Sequence, residues 1–211
     1  MRTFIAIELP PSLKERLSAR RDEMRDHLAA SGLARHLSWT GDDKFHLTLR
    51  FLGETNEQQV QAVATQLARV GAGTRPLSLQ LQGLGAFPNW PRLRVLWMGV
   101  QGDLPHLNRL QAAVEQAVQA NGFPAETRPF HGHITLARMR RSTPRDEAKR
   151  IASLLQAAAQ ARGWGEGLAP WTVEDIVFMR SELHPSGARY TVLGRFQLAK
   201  EDGARGPAST S

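Results

Sequence analysis

Short runs in which apolar and polar residues alternate are separated by longer stretches with helical spacing, which predicts a chain of mixed strands and helices. Two of the alternating runs contain a histidine, HLTLRFLG from His46 and HITLAR from His133. Further strands are predicted over 3–8, 77–82, 95–100, 172–180 and 188–198. Helices are predicted over about 12–30, 57–70, 104–120 and 145–161, each preceded by a proline, an asparagine or an aspartate.

The order of these predicted elements is nearly the same twice. Strand, helix, histidine strand, helix and strand follow one another over about 3–82 and again over about 95–180, with one strand left over. This order indicates an internal duplication, whose copies would face each other across one cleft if they pack about a pseudo-two-fold axis. We predict a single domain over 1–200, and a disordered tail over 201–211 because that segment is small, polar and contains glycine and proline.

The two histidine runs share the pattern His-x-Thr-apolar, and their histidines lie 87 residues apart. Residues two apart in a strand point to the same face, so His46 projects beside Thr48 and His133 beside Thr135. The leucine and isoleucine residues between them point the other way, toward a core. A single such motif would mean little, but two in matching contexts predict a site with two histidines facing each other.

Two histidines across a cleft suit paired acid–base chemistry, because imidazole titrates near neutral pH and one ring can be neutral while the other is protonated. The neutral ring would take a proton from water and the protonated ring would give one to a leaving oxygen. The neighbouring threonine hydroxyls can hydrogen-bond phosphate oxygens. The pattern therefore favours in-line displacement at a phosphodiester without a metal ion.

The composition of the chain excludes only a few classes of protein. The chain has 211 residues, of which 41% are hydrophobic, and no apolar run of the length that a transmembrane helix needs. It has no cysteine, so disulfides and thiolate metal sites are excluded, and we expect a cytoplasmic protein. The net charge of +7 favours an anionic partner such as RNA or a nucleotide.

The motifs and their surroundings closely resemble those of the two-histidine phosphoesterases. Within that superfamily the chain is similar to the bacterial RNA 2′,3′-cyclic phosphodiesterases, also described as 2′-5′ RNA ligases. The resemblance covers nearly the whole chain and is carried by MRTFIAIELP, HLTLRFLGE, RVLWMGV, FHGHITLAR and SELHPSGARYTVLGRFQL. One departure stands before His133, where Phe130, His131 and Gly132 separate it from Pro129.

The resemblance implies a bilobal α+β fold, with two pseudo-symmetric lobes that each hold an antiparallel sheet and helices. It implies hydrolysis of a terminal 2′,3′-cyclic phosphate of RNA to a 2′-phosphomonoester, and joining of RNA ends through a 2′-5′ linkage as a further activity. In the roles it assigns, His46 donates a proton to the leaving oxygen, His133 activates water, and Thr48, Thr135 and Arg138 hold the phosphate. We expect a monomer that acts on RNA ends or nucleoside cyclic phosphates, with no metal, cofactor or membrane.

For several side chains the sequence allows two interpretations. Regular alternation would send Arg138 away from Thr135, so its contact with phosphate requires a β-bulge. Arg50 has the parity of Thr48 but could equally be a solvated edge charge. Phe87 and Trp90 can stack a base or simply pack. The basic cluster of Arg138, Arg140, Arg141 and Arg145 can meet an RNA backbone or remain solvated.

The function also keeps alternatives of different kinds. One is a phosphodiesterase for 2′-5′ linked oligonucleotides or for another small cyclic phosphate. The other is a non-catalytic nucleotide- or RNA-binding module that uses the same groove. Turnover of a cyclic phosphate separates the module from the enzymes, and a substrate panel separates the enzymes from each other.

Overall fold

The computed structural model describes residues 1–184 and 187–199, and the tail predicted over 201–211 lies outside them. The helices are α1 (Pro11–Ala29), α2 (Glu57–Ala72), α3 (Leu104–Gln119) and α4 (Arg145–Ala161). The strands are β1 (Arg2–Glu8), β2 (Leu37–Trp39), β3 (His46–Glu54), β4 (Leu77–Phe87), β5 (Val95–Gly102), β6 (His133–Met139), β7 (Trp171–Val173), β8 (Asp175–His184) and β9 (Gly187–Gln197). No helix in this part of the chain is both long and apolar enough to span a membrane.

The strands form two antiparallel sheets, as the predicted α+β fold requires. The first sheet has the order β3-β1-β8-β9 and the second has the order β2-β6-β5-β4-β7. Each sheet takes two strands from the other half of the chain, since β2 and β4 join β5 and β6 while β8 and β9 join β1 and β3. The two sheets therefore do not coincide with the two stretches that repeat in the sequence.

The helices begin where the sequence provides a cap. The Asn56 side chain accepts a hydrogen bond from the Gln59 N–H at 2.8 Å, and the Gln59 side chain accepts one from the Asn56 N–H at 3.0 Å. Asp103 accepts from the N–H of His106 at 3.2 Å and so starts α3. Pro11 occupies the first turn of α1, where its missing N–H has no cost.

One continuous apolar core lies beneath both sheets. It includes the apolar residues of both histidine runs, namely Leu47, Leu49, Ile134 and Leu136. A second, smaller cluster of Phe4, Ala6, Val177 and Met179, with Tyr190 packed against it, lies on the other face of the first sheet. Because Phe4 and Ala6 share that face with the motif residues of β3, the histidine side of the sheet points away from the main core.

The observed strands differ from the predicted ones in three places. The stretch after residue 82, predicted as a loop, continues β4 to Phe87 past an irregularity at Gly83, whose φ is +86°. The strand predicted over 172–180 is two strands, because the chain leaves the second sheet after Val173 and enters the first at Asp175. Strand β2 has no counterpart among the predicted strands, since three residues are too short to show alternation.

Candidate active site

The two motif strands contact each other across the boundary between the sheets. Strand β3 is an edge strand of the first sheet, and β6 lies between β2 and β5 in the second. On β3, His46 is paired with Glu8 and Thr48 with Ala6. On β6, His133 is paired with Gly99 of β5 and Thr135 with Trp97. The sequence motifs are thus brought together where an edge of the first sheet meets the second sheet.

Each motif histidine is anchored in the same way. Nδ1 of His46 donates to the carbonyl of Lys44 at 2.8 Å, and Nδ1 of His133 donates to the carbonyl of His131 at 2.7 Å. A carbonyl oxygen only accepts, so the neutral ring carries its proton on Nδ1 and leaves the lone pair on Nε2. Both rings therefore offer Nε2 as the atom that can take or give a proton.

His46 is enclosed by aromatic rings of the first sheet. Its ring lies 4.8 Å from that of Phe4 and 5.3 Å, edge-on, from that of Tyr190. This burial lowers the pKa of His46 to about 4, although the Lys44 carbonyl opposes the shift by accepting from the ring. The charges of Lys14 and His133 lower the pKa further and that of Glu8 raises it, so His133 lies within electrostatic reach of His46.

His133 has a matching aromatic surround in the second sheet. The ring of Phe87 lies 4.9 Å from it and nearly perpendicular, and the ring of Trp97 lies 6.2 Å away. Burial lowers the pKa of His133, the His131 carbonyl opposes this, and the positive charges of His131 and Arg138 lower it again. Both histidines are therefore biased toward the neutral form in the free protein.

A cavity of about 690 Å³ opens beside the motif strands. Thr48, His133 and Arg138 line it, whereas His46 and Thr135, on the same two strands, are not among its lining residues. Neither threonine hydroxyl makes a hydrogen bond to another residue of 1–184 or 187–199, although each side chain is half-buried. Two hydroxyl groups therefore remain available to a ligand next to the histidines.

A β-bulge in each motif strand resets the alternation of side chains. Leu136 is skipped in the pairing with β5, so Arg138 falls on the cavity side of β6, where it is exposed. Leu49 is skipped in the pairing with β1, so Arg50 turns inward and is only 9% exposed. The interpretation of Arg50 as a solvated edge charge is therefore wrong, and the bulge that a phosphate contact by Arg138 requires is present.

Buried Arg50 ties the cavity wall together. It forms an ion pair with Glu115 of α3 at 2.6 Å and donates to the carbonyls of Phe51 and Pro124. Glu115 in turn accepts from the N–H of Glu126 at 3.0 Å. These contacts hold the segment between α3 and β6, which lines the cavity, against β3.

Sequence reasoning missed four side chains around the site. Phe51 is 57% exposed and lines the cavity at the position that corresponds, 87 residues earlier, to Arg138. Arg94 and His131 also line the cavity, and Tyr190 packs on His46. The 87-residue offset could have identified Phe51, whereas the others lie outside the two His-x-Thr motifs and reach the site only through the fold. Of the two aromatic residues left open, Phe87 lies in the site and Trp90 packs on the core.

No group of three or more histidine, aspartate and glutamate side chains converges as a metal site within 1–184 and 187–199. The His-x-His pair of His131 and His133 has its ring centroids 6.4 Å apart, and its two residues are joined by the hydrogen bond to the His131 carbonyl.

Comparison with known proteins identifies the family. The chain matches the LigT-like phosphoesterase family twice, over residues 7–97 and 100–190. It is 34% identical to a Thermus thermophilus protein named RNA 2′,3′-cyclic phosphodiesterase, over 98% of this chain and 96% of the relative. A protein of the same name from Aeropyrum pernix is 38% identical over 117 residues, which cover 56% of this chain and 64% of that relative.

A solved structure agrees with these matches. The crystal structure of the Thermus thermophilus protein TT0787 superposes with a TM-score of 0.73 and 28% identity, covering 95% of this chain and 100% of the other. These matches show that the chain belongs to the LigT-like phosphoesterase family.

Proposed function

We propose that the chain hydrolyses the terminal 2′,3′-cyclic phosphate of RNA to a 2′-phosphomonoester. The observation that carries the proposal is the pair of histidines on adjoining strands, each held through Nδ1 so that Nε2 is free. The names of the Thermus and Aeropyrum relatives support the choice of substrate. The hydroxyls of Thr48 and Thr135, which have no hydrogen-bond partner among residues 1–184 and 187–199, add two groups that can bind a phosphate beside the histidines.

In the proposed reaction, Nε2 of His133 takes a proton from water and the water oxygen attacks phosphorus. The bond from phosphorus to O3′ breaks, and His46 gives its Nε2 proton to O3′. The product is a 2′-phosphomonoester with a free 3′-hydroxyl. The order of the two roles follows the family resemblance, since the two anchored rings are equivalent in their hydrogen bonds.

The phosphate would be held by groups from both sheets. We place the hydroxyls of Thr48 and Thr135 and the guanidinium of Arg138 on its non-bridging oxygens, where they offset the charge that grows in the transition state. His46 becomes protonated when the substrate binds, because the negative charge of the bound phosphate stabilises the imidazolium that burial otherwise disfavours. No step in this scheme requires a metal ion.

The terminal base would lie against Phe51. Phe51 is exposed and lines the same cavity as Arg138, so we place the phosphate at Arg138 and the base on the ring of Phe51. The same geometry would allow a 5′-hydroxyl to replace water as the nucleophile, which would join RNA ends through a 2′-5′ linkage. We further propose that the enzyme acts in the cytoplasm as a monomer, since one chain supplies both histidines.

The proposal is tested with a substrate panel in EDTA, with products identified by phosphorus NMR. Nucleoside 2′,3′-cyclic phosphates should yield only the 2′-phosphate. Preferred cleavage of a 2′-5′ linked dinucleotide or of a 3′,5′-cyclic phosphate would move the activity to that substrate. Binding without any turnover would favour a non-catalytic module, and a rate that EDTA abolishes and added metal restores would contradict the metal-free mechanism.

A second test assigns the two histidine roles. In a cyclic phosphate whose bridging 3′ oxygen is replaced by sulfur, the leaving thiolate needs little help from an acid. His46→Ala should recover much of its lost rate on this substrate, whereas His133→Ala should not. Recovery by His133→Ala alone would reverse the assignment.

A further inference from the structure

Five exposed arginines lie near one end of the second sheet, and two of them line the cavity. Arg94 and Arg138 line the cavity, and Arg138 is paired with Val95, next to Arg94. Arg92 ends the short turn just before them. Arg140 follows β6, and its N–H and guanidinium donate to the carbonyls of His36 and Arg35, which places the backbone of Arg35 beside Arg140, while the Arg35 guanidinium lies next to Gly32. We call Arg35, Arg92, Arg94, Arg138 and Arg140 the arginine ridge.

The charges of the arginine ridge are not neutralised by the protein. Within 1–184 and 187–199, none of the five forms an ion pair with a carboxylate. The acidic side chains of the cavity wall are engaged elsewhere, Glu115 with Arg50 and Glu126 with Arg128. A group of uncompensated cations beside an anion site is a surface that a polyanion binds.

The two rims of the cavity also differ in character. On β3 the position equivalent to Arg138 holds the exposed aromatic Phe51, whereas Arg94 and Arg138 line the cavity at the second sheet. A terminal base placed on Phe51 leaves the second rim free for the sugar–phosphate chain.

We infer that the arginine ridge binds the phosphates upstream of the RNA end, so that the enzyme prefers the end of an RNA chain to a mononucleotide. This inference rests on the proposed function and adds a backbone-binding surface outside the catalytic groups. The arginine ridge would recognise the charge of the backbone and not the identity of the bases, because contacts between guanidinium groups and phosphates carry no sequence information.

The test compares a nucleoside 2′,3′-cyclic phosphate with a six-nucleotide RNA that ends in the same group. The ridge variant is Arg35→Ala/Arg92→Ala, since neither side chain makes a hydrogen bond or ion pair in the described part of the chain. Its matched control is Arg69→Ala/Arg109→Ala, which removes two exposed arginines from α2 and α3 that do not line the cavity.

We expect the ridge variant to lose about tenfold in kcat/KM on the oligonucleotide at low salt, with mononucleotide turnover unchanged. Its slope of log kcat/KM against log salt should fall by about 0.7 for each phosphate that the variant no longer binds. The control variant should behave as wild type on both substrates. Equal reductions in the ridge and control variants, equal reductions on both substrates, or a wild type with no preference for the oligonucleotide would overturn the inference.

Failure of the proposed function can be told apart from failure of this inference. Binding of a six-nucleotide RNA with a terminal 2′-phosphate, followed by fluorescence anisotropy, needs no turnover. Weaker binding by the ridge variant than by the control supports the ridge even if no cyclic phosphate is cleaved. Identical dissociation constants for the two variants contradict it.

Discussion

At the scale of single residues, the site depends on rings that are fixed and partly shielded from water. The carbonyls of Lys44 and His131 set the same tautomer in both histidines. Aromatic neighbours from β1, β4, β5 and β9 shield the rings, and this burial lowers both pKa values. The charged groups that act on His46 are Lys14 and His133, which lower its pKa, and Glu8, which raises it.

This environment predicts the pH dependence of kcat/KM, which reports the free enzyme. His46 must be protonated, so activity falls as pH rises above its pKa of about 4. His133 must be neutral, so activity falls as pH drops below its pKa, which lies under the ordinary 6.5. The profile should therefore peak at acidic pH, and the profile of kcat should lie at higher pH because bound phosphate raises both values. A kcat/KM that still increases between pH 7 and 8 would contradict these assignments.

Tyr190 offers a direct check on the cause of the His46 shift. The chain has one tyrosine, and its ring shields His46 edge-on. Tyr190→Ala should admit water and raise the pKa of His46 toward 6.5, whereas Tyr190→Phe keeps the ring and should leave that pKa near 4. Titration of the His46 ring by NMR measures both. Equal pKa values in the two variants would show that burial by this ring is not the cause.

At the scale of elements, the two β-bulges decide which arginine reaches the site. Alternation of period two predicts the motif pairs His46–Thr48 and His133–Thr135 correctly. It fails after Leu49 and Leu136, where one extra residue sends Arg50 inward and Arg138 outward. The sequence carries no local signal for either bulge, since both are set by pairing with strands distant in the chain.

The inward Arg50 makes strand β3 and helix α3 depend on each other. Arg50→Ala should lower the free energy of unfolding by about 3 kcal/mol, because it leaves the Glu115 carboxylate without its charged partner in a buried setting. The double variant Arg50→Ala/Glu115→Ala should cost clearly less than the sum of the two single variants. Urea unfolding of all four proteins measures this coupling, and strictly additive losses would contradict it.

At the scale of the whole molecule, the exchange of strands joins the two halves into one folding unit. Strand β4 lies inside the second sheet, between β5 and β7, and β8 lies inside the first, between β1 and β9, while one apolar core runs beneath both sheets. The order of elements could be predicted from the sequence pattern, because hydrophobic period and caps are local properties, whereas the antiparallel α+β class was implied only by the family resemblance. The exchange of strands between the sheets could not be predicted from the sequence, since strands with the same alternation fit either sheet. For the same reason the sequence pattern did not show that the chain passes from the second sheet to the first at residue 174.

This exchange predicts that neither half folds alone. A fragment of residues 1–92 keeps β1, β3 and β4 but lacks the β5 and β8 partners of its strands. It should show no cooperative thermal transition by circular dichroism, whereas the full chain should unfold in one. A fragment of residues 93–199 serves as the control, and mixing the two should restore ordered structure if they associate. A cooperative transition in either fragment alone would contradict the interlocked fold.

The central claim is that His46 and His133 act as an acid–base pair on a cyclic phosphate. Single-turnover hydrolysis of a nucleoside 2′,3′-cyclic phosphate in EDTA tests it most directly, with wild type, His46→Ala and His133→Ala. We predict clean 2′-phosphate from wild type and a rate lower by about 10²-fold or more in each variant, since a positioned proton donor or acceptor contributes that much. Wild-type rates in either variant would contradict the claim.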